Sequence, residues 1–501
     1  MNTPIKKIVI VGRDADAWLT ALMLQQGFRS SKEPVVVELL ELPSNLTKQD
    51  FFSVLPSHKT LHKMIGIREN LILQEAKGCY SFAQRFSNWS GNAAPYMHAY
   101  DRFGVDFDGV DFYQFWLRGA SRGLKVPLEE FNLGAVAAKQ GKYAVFEGGM
   151  TPSFSHAISG YNLDAMSYIQ SIAKAALAIG VIHKSVNAVT VKICDGRIDA
   201  IVLSGGVSNV VEVKGDFYID ASGTEALLIK NLEQENLQNW SDWLPANRII
   251  VATAPSLKPL PAFNQISAFK AGWIGIHPLL DRTAVNIVYS SKQATSKEAL
   301  ESALAVTGLK ITDATEGSFS IGARKQHWIG NCLALGSSAV NLEPLDAIQL
   351  HFLHVGFSLL RALFPNDAFD MSEAEIYNEK IQGFIENARD FQIAHYHLNK
   401  RFDEPLWDDT RAMTIPQSLQ EKIKLFEARG LLPQEEDETF QSESWTALLV
   451  GQQVKTKYYD PMVNKFSDDE LIMTFQKILS HIKSEVEQMP SLQSQVEMTL
   501  L

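Results

Sequence analysis

Residues 6–18 read Lys6-Lys7-Ile8-Val9-Ile10-Val11-Gly12-Arg13-Asp14-Ala15-Asp16-Ala17-Trp18, and this stretch decides the fold. Four β-branched apolar residues, Ile8–Val11, run into Gly12. A short polar turn follows, and Trp18–Leu24 then carries apolar residues at helical spacing. Strand, tight turn and helix in that order open a βαβ unit of the dinucleotide-binding kind. A second apolar strand, Val35-Val36-Val37, runs on to Glu41, at a distance where an acid suits a ribose hydroxyl.

The turn departs from the usual fingerprint. G-x-G-x-x-G is written here as Gly12-Arg13-Asp14-Ala15-Asp16-Ala17. The middle glycine normally lets the backbone approach a pyrophosphate, and here it is Asp14. A carboxylate at a helix N-terminus is favoured by the dipole and the free N–H groups. One reading is a nucleotide site whose anion position is filled by the protein's own charge, with Arg13 offsetting part of the repulsion. The other is an ordinary βα turn capped by Asp14 or Asp16.

The chain has 501 residues, enough for one large α/β body with additions or for two to three domains. Hydrophobic residues make up 46% and charged residues 21%, the balance of a globular chain with a full core. A formal net charge of −11, without any Lys/Arg-rich tract, argues against a nucleic-acid or anionic-membrane surface. Cys79, Cys194 and Cys332 are far apart and form no C-x-x-C, so a metal site or redox pair is not expected and a reducing compartment is. With no signal-peptide core and no apolar run of membrane length, the expected location is the cytoplasm.

Helices are expected near His58–Ile67, over Asp111–Gly119 and over Leu163–Ile179. The aromatic stripe of Asp111–Gly119 suits a core as well as a ligand. Cys194-Asp195-Gly196-Arg197 reads as a hairpin turn between strands Val189–Ile193 and Ile198–Leu203. Asp216–Gly223 is an apolar strand entering a small-residue turn, and Cys332–Gly336 is another. Residues 264–325 alternate as an antiparallel sheet would. Ala347–Leu363 reads as a helix, helices dominate from Ser372, and the last dozen residues are expected to fray.

Three of these elements, the opening βαβ unit, Asp216–Gly223 and Ala334–Gly336, come in an order that resembles the flavoprotein hydroxylase fold. The segment HWIGNCLALGSSAVNLEPLDA, His327–Ala347, further resembles the flavin-dependent tryptophan halogenases. So do FDGVDFYQFWLRG (Phe107–Gly119), Arg85–Trp89, Tyr161–Asp164, HYHLNKRFDEPLW (His395–Trp407), Ser444-Trp445 and Tyr459-Asp460-Pro461, over roughly residues 5–465. The resemblance implies an α/β FAD-binding fold with an interleaved β-rich substrate region and a helical C-terminal part. It places a mainly FAD-binding body at 1–255 and 331–371, a β-rich substrate region at 256–330 and helices at 372–501. FAD would lie with its pyrophosphate at Gly12, Asp14 and Ala17 and its ribose at Glu41, bordered by Asp220, Gly223 and Gly336, and would bind weakly. The implied partners are a flavin reductase and an aromatic or indole-like small molecule, with no nucleic acid or membrane; a homodimer is compatible.

In that family hypohalous acid is delivered to a lysine beside the substrate, and a glutamate assists. The lysine stands eight positions before the tryptophan of R-F-x-N-W, and that position here is Ser81. A hydroxyl forms no chloramine. Lys77 lies about 13 Å away along an extended strand. The W-x-W-x-I-P motif appears as Trp273-Ile274-Gly275-Ile276-His277-Pro278, with His277 either an acid–base group or a structural ring. Asp346 keeps a carboxylate at the glutamate position, and Ile348-Gln349 replace the Thr-Gly pair that faces halide. The glycine-rich flavin loop is Gln49-Asp50-Phe51-Phe52. Three functions follow from this pattern: a flavin oxidoreductase of altered chemistry, a non-catalytic binding protein on the same scaffold, or a flavin monooxygenase freed by loss of the Trp motif.

Overall fold

The computed structural model describes residues 3–144, 157–205, 209–433 and 436–500. The chain divides into two compact units, each assembled from three stretches of sequence. The first contains Met1–Lys77, Leu163–Asp242 and Ser320–Glu386, and the second Gly78–Asn162, Trp243–Phe319 and Asn387–Leu501.

The first unit is built on a six-stranded sheet in the order Trp328–Ile329, Cys332–Ala334, Phe217–Ala221, Lys7–Gly12, Val36–Glu41, Ile182–Ser185. Lys7–Gly12 runs parallel to both neighbours, with Ile8 opposite Phe217 on one side and Val37 on the other. A parallel strand covered on both faces has no water side, which is why Ile8–Val11 is apolar at every position and fully buried. The expected parallel sheet through Ile8–Val11 and Phe217–Asp220 is therefore present. Helices Asp14–Phe28, Ala165–Ala178 and His351–Ala362 pack together on it. A smaller antiparallel sheet, Val189–Cys194, Arg197–Gly205 and Asn209–Val213, includes the predicted hairpin. Asp195 and Gly196 both take left-handed φ, 49° and 72°, which matches the right-handed twist of the strands they join.

The second unit holds a seven-stranded sheet in the order Thr312–Ser318, Arg248–Ala254, Thr283–Tyr289, Gly272–Pro278, Phe263–Phe269, Ala83–Ser87, Tyr96–Ala99. All pairings are antiparallel except that of Phe263–Phe269 with Ala83–Ser87. Helices Phe112–Ser121, Leu133–Lys139, Ser296–Thr307, Pro405–Ala412, Gln417–Arg429, Ser442–Gly451, Asp468–Gln488 and Leu492–Leu500 belong to it. Among the described residues no helix is long and apolar enough to cross a membrane.

Four local expectations are corrected. Residues 264–325 are not sheet throughout: Ser296–Thr307 is a helix, opened by a capping box between Thr295 and Glu298 and closed by left-handed Gly308. The helix expected from Leu163 starts at Ala165, because Leu163 and Asp164 end a strand and Asp164 caps the helix, accepting from the Ser167 N–H at 3.0 Å. The helix expected from Ala347 starts at His351, because Asp346 and Ala347 have φ of 61° and 60°, outside any right-handed helix. Finally, Leu492–Leu500 does not fray into coil. It is helical, with Leu492 fully buried and its N–H donated to the Gly141 carbonyl at 2.9 Å.

Candidate functional site

The turn after the first strand begins with a steric constraint. A Cβ on Gly12 would lie 2.5 Å from the Ala221 carbonyl oxygen, so only glycine lets this strand end meet its neighbour. The Arg13 N–H donates to that same oxygen at 3.1 Å. Asp14, the first residue of helix Asp14–Phe28, has φ of 56°, the left-handed conformation that glycine adopts freely and other residues at a cost. The backbone thus keeps the shape of the glycine fingerprint while the side chain does not.

Neither aspartate caps the helix, correcting the second reading of the turn: the N-cap, Arg13, has no side-chain cap. The Asp14 carboxylate instead reaches the segment beyond Glu41, accepting from the Ser44 hydroxyl and from the Asn45 N–H at 3.2 Å. Desolvation raises its pKa above the usual carboxylate range. Asp16 accepts from the Ser337 N–H at 2.8 Å, and desolvation pushes its carboxyl up to about 6. Gly336 has φ of 60°, and a Cβ there would collide with the Asp16 carboxyl, so this contact also demands glycine. Ala17 is fully buried beneath the turn. The Arg13 guanidinium pairs with Glu225 at 2.7 Å.

Glu41 pairs in register with Gly12, the place where an acid would reach a ribose. Both its oxygens are engaged within the chain: Oε1 accepts from Trp18 Nε1 at 2.8 Å and Oε2 lies 2.7 Å from His183 Nε2. Asp220 is fully buried on the adjacent strand. Its Oδ1 accepts from the Ser222 N–H and hydroxyl at 3.1 and 2.6 Å, and its Oδ2 from the Leu228 and Ile229 N–H groups at 2.8 and 3.0 Å. Gly223, with φ of 84°, donates its N–H to the Ser338 hydroxyl at 3.0 Å. The first unit therefore gathers all seven sequence-derived cofactor positions around the strand ends. It also spends the three acids Asp14, Glu41 and Asp220 on internal partners.

Asp346 is fully buried in the same unit. It precedes an isolated bridge between Ile348 and Val54, and the Ser53 N–H donates to Gln349 Oε1 at 3.0 Å. The glycine-poor loop is here a strand, Phe51–Val54, with Phe51 buried and Phe52 set edge-on to Tyr168 at 6.0 Å. Beside it lies a cluster that sequence reasoning missed. His58 and His62, four residues apart on helix Ser57–Met64, both place Nε2 at 2.8 Å from the Tyr168 hydroxyl. One phenolic proton serves two rings, so one imidazole donates and the other accepts. Burial pushes His62 down to about 3, and likewise His351, whose Nδ1 lies 3.4 Å from the Ser57 hydroxyl, so both are neutral at pH 7. The spacings H-x-x-x-H and H-x-x-H were the available signal. Among the described residues no group of three or more His, Cys, Asp or Glu has the arrangement of a metal site.

Ser81 belongs to the second unit. It ends strand Cys79–Ser81, is 1% exposed, and donates its hydroxyl to the Ala83 carbonyl at 2.9 Å. Lys77 is exposed in a left-handed turn ahead of that strand, with φ of 50°. The strand Gly272–Pro278 is buried at every residue. A Cβ on Gly275 would collide with Asn286 Oδ1, which sits 3.1 Å from His277 Nε2. Burial lowers His277 to about 3, which makes it a neutral structural ring and not an acid–base group near pH 7.

Comparison with known proteins agrees with the architecture. A family model described as tryptophan halogenase matches residues 7–468. Tryptophan 6-halogenase ThaL of Streptomyces albogriseolus is 24% identical over 448 residues, covering 85% of this chain and 83% of that protein. Tryptophan 7-halogenase RebH of Lentzea aerocolonigenes is 24% identical, covering 85% and 83%. Among solved structures, BrvH, a flavin-dependent halogenase from Brevundimonas sp. BAL3, superposes with a TM-score of 0.90 at 27% identity over 99% of both chains. Xcc4156, a flavin-dependent halogenase from Xanthomonas campestris, superposes with a TM-score of 0.93 at 25% identity, covering 99% of this chain and 98% of that one.

Proposed function

The chain belongs to the tryptophan halogenase family, and from that premise we propose that it is a member that binds an aromatic small molecule but has lost lysine-directed halogenation. One observation carries this reading. At the position where the resemblance expects the lysine, Ser81 is buried and its hydroxyl is donated to the start of the next strand, 2.9 Å from the Ala83 carbonyl. It has no amine with which to capture an electrophilic halogen and no free proton to point at one. Ile348, with no hydroxyl, stands where a halide partner is expected, and its backbone is tied to Val54. Orientation of the reacting groups is worth up to about 7–11 kcal/mol in the best intramolecular cases, and neither Ser81 nor Ile348 supplies it.

The cofactor reading is of weak flavin binding. The residues at Gly12–Ala17 do not fit a pyrophosphate. Two carboxylates stand in the first turn of the helix, and the one guanidinium there is paired with Glu225. An anion would meet like charge where the family fold offers N–H donors. A flavin reductase is correspondingly a partner only to the extent that flavin is taken up.

The test is product analysis by mass spectrometry with a flavin reductase, FAD, oxygen and chloride or bromide, offering free tryptophan and several indoles. No halogenated product is expected, and the purified protein should be colourless. A regioselectively chlorinated product would overturn the reading. A hydroxylated product would favour the monooxygenase alternative, which rests on Gly275 in place of the second tryptophan of the W-x-W-x-I-P motif.

A further inference from the structure

The second unit contains a concavity that includes none of the candidate cofactor or catalytic residues. One wall is the outer face of helix Phe112–Ser121, and the other is the chain from Val450 to Asn464. Its volume is about 920 Å³, within the roughly 300–1,000 Å³ of small-molecule sites.

The helix is packed on several sides, and Trp116 and Leu117 are left half-buried at the concavity. Phe112 and Gly119 pack against Phe475 on the inner side. Trp116 is half-buried at the concavity, with Tyr113 buried behind it, 6.0 Å from the Trp116 ring and stacked on Phe426 at 5.4 Å. Tyr458 lines the concavity from the other wall and is 73% exposed, a large ring left in water.

The opposing wall is held in place without a ligand. The Lys457 N–H donates to the Glu427 carbonyl at 2.8 Å and the Tyr458 N–H to the Ala428 carbonyl at 3.2 Å. The Asp460 N–H donates to Gln114 Oε1 at 2.9 Å, and Arg118 donates to the Val463 carbonyl at 2.6 Å. The backbone beneath the rings is already fixed, so the ordering cost of binding falls on the exposed side chains alone.

Charge supplies the second half of the specificity. Lys455 and Lys457 both line this concavity and are exposed. Neither has an ion pair with a carboxylate among the described residues. Two uncompensated ammonium groups at one rim, in a chain of formal charge −11, are a local field of the opposite sign.

We propose that this concavity is a second binding site, for a small planar aromatic carboxylate whose ring stacks on Trp116 and Tyr458 and whose carboxylate is held by Lys455 and Lys457. The site is independent of flavin and of Ser81, so it stands or falls separately from the reading above.

Calorimetric titration of the full chain with indole-3-carboxylate, and separately with uncharged indole, tests it. The carboxylate should bind at least tenfold more tightly than indole, with an advantage that shrinks as salt is raised. Lys455→Gln/Lys457→Gln should erase that advantage and leave indole unchanged. Tyr458→Ala, an exposed position that does not threaten folding, should weaken both probes. Lys310→Gln, another exposed lysine of the same unit, should change neither. Absence of binding at millimolar probe, or equal affinities in wild type, Tyr458→Ala and the double lysine variant, would overturn the proposal.

Discussion

The Asp16 carboxylate accepts a hydrogen bond from the Ser337 N–H across 321 positions of sequence. Gly336 is left without a side chain so that this can happen. A carboxylate belonging to the chain occupies the donor that closes this turn, and its burial holds the Asp16 pKa near 6.

That shift makes a pH prediction with a definite sign. An acid whose folded pKa is raised binds more protons in the native state than in the unfolded chain. Asp16 therefore lowers stability as pH rises through about 4 to 6. Asp16→Asn keeps an acceptor for Ser337 and removes the charge. It should be more stable than wild type by on the order of 1–3 kcal/mol at pH 7, with the difference fading below about pH 4. Thermal unfolding of both proteins across this range measures it. Parallel curves would show that Asp16 titrates normally.

Asp14 and Ala17 stand at the second and third glycine positions of the fingerprint. Asp14→Gly relieves a left-handed residue, a conformation costing roughly 1–2 kcal/mol outside glycine. It gives up the bonds from Ser44 and Asn45 in exchange. Combined with Ala17→Gly, it should tighten FAD binding about tenfold, near 1.4 kcal/mol. Flavin fluorescence titration reports the change, and an unaltered affinity would place the obstacle elsewhere than this turn.

Restoring the lysine is expected to fail. Ser81→Lys must bury an ammonium at a position only 1% exposed, and it removes the bond to Ala83. A loss of roughly 2–4 kcal/mol in stability is expected. No chlorinated tryptophan should appear by mass spectrometry, because on the proposed reading Ile348 offers halide no hydroxyl. Regioselective product from this single variant would show that the lysine alone was missing.

Gly275 is predicted to be a packing position for His277 and Asn286. Gly275→Ala pushes a methyl into Asn286 Oδ1, an overpacking worth about 1–3 kcal/mol. In an Asn286→Ala background the same change should cost less, so a double-mutant cycle by chemical denaturation should show coupling. Additive losses would mean that the clash relaxes by backbone movement.

The run Ile8–Val11 was legible because a strand buried on both faces can hold only apolar residues, and the hairpin at Asp195-Gly196 because its turn demands residues that accept left-handed φ. Helix Ser296–Thr307 carries its signal in Thr295 and Glu298, but the apolar–polar alternation of residues 264–325 masks it. Of the candidate site, the positions of Gly12, Glu41, Asp220 and Gly336 at neighbouring strand ends follow from the order of the segments. What those side chains contact does not.

By itself the sequence determined the central parallel sheet, a serine and not an amine at position 81, and Asp14 and Ala17 in the turn after Gly12. These are properties of local pattern and of residue chemistry, which no packing can reverse. Only the tertiary structure decided that Asp14 and Asp16 do not cap their helix, and that Glu41 is taken by Trp18 and His183. It also decided that His277 is a neutral buried ring, and that Asp346 and Ala347 break the helix expected to begin with them. Each of these depends on partners brought together by the fold, often from far away in sequence. A buried polar group takes whichever donor or acceptor the packed neighbours offer, and that choice is made in space.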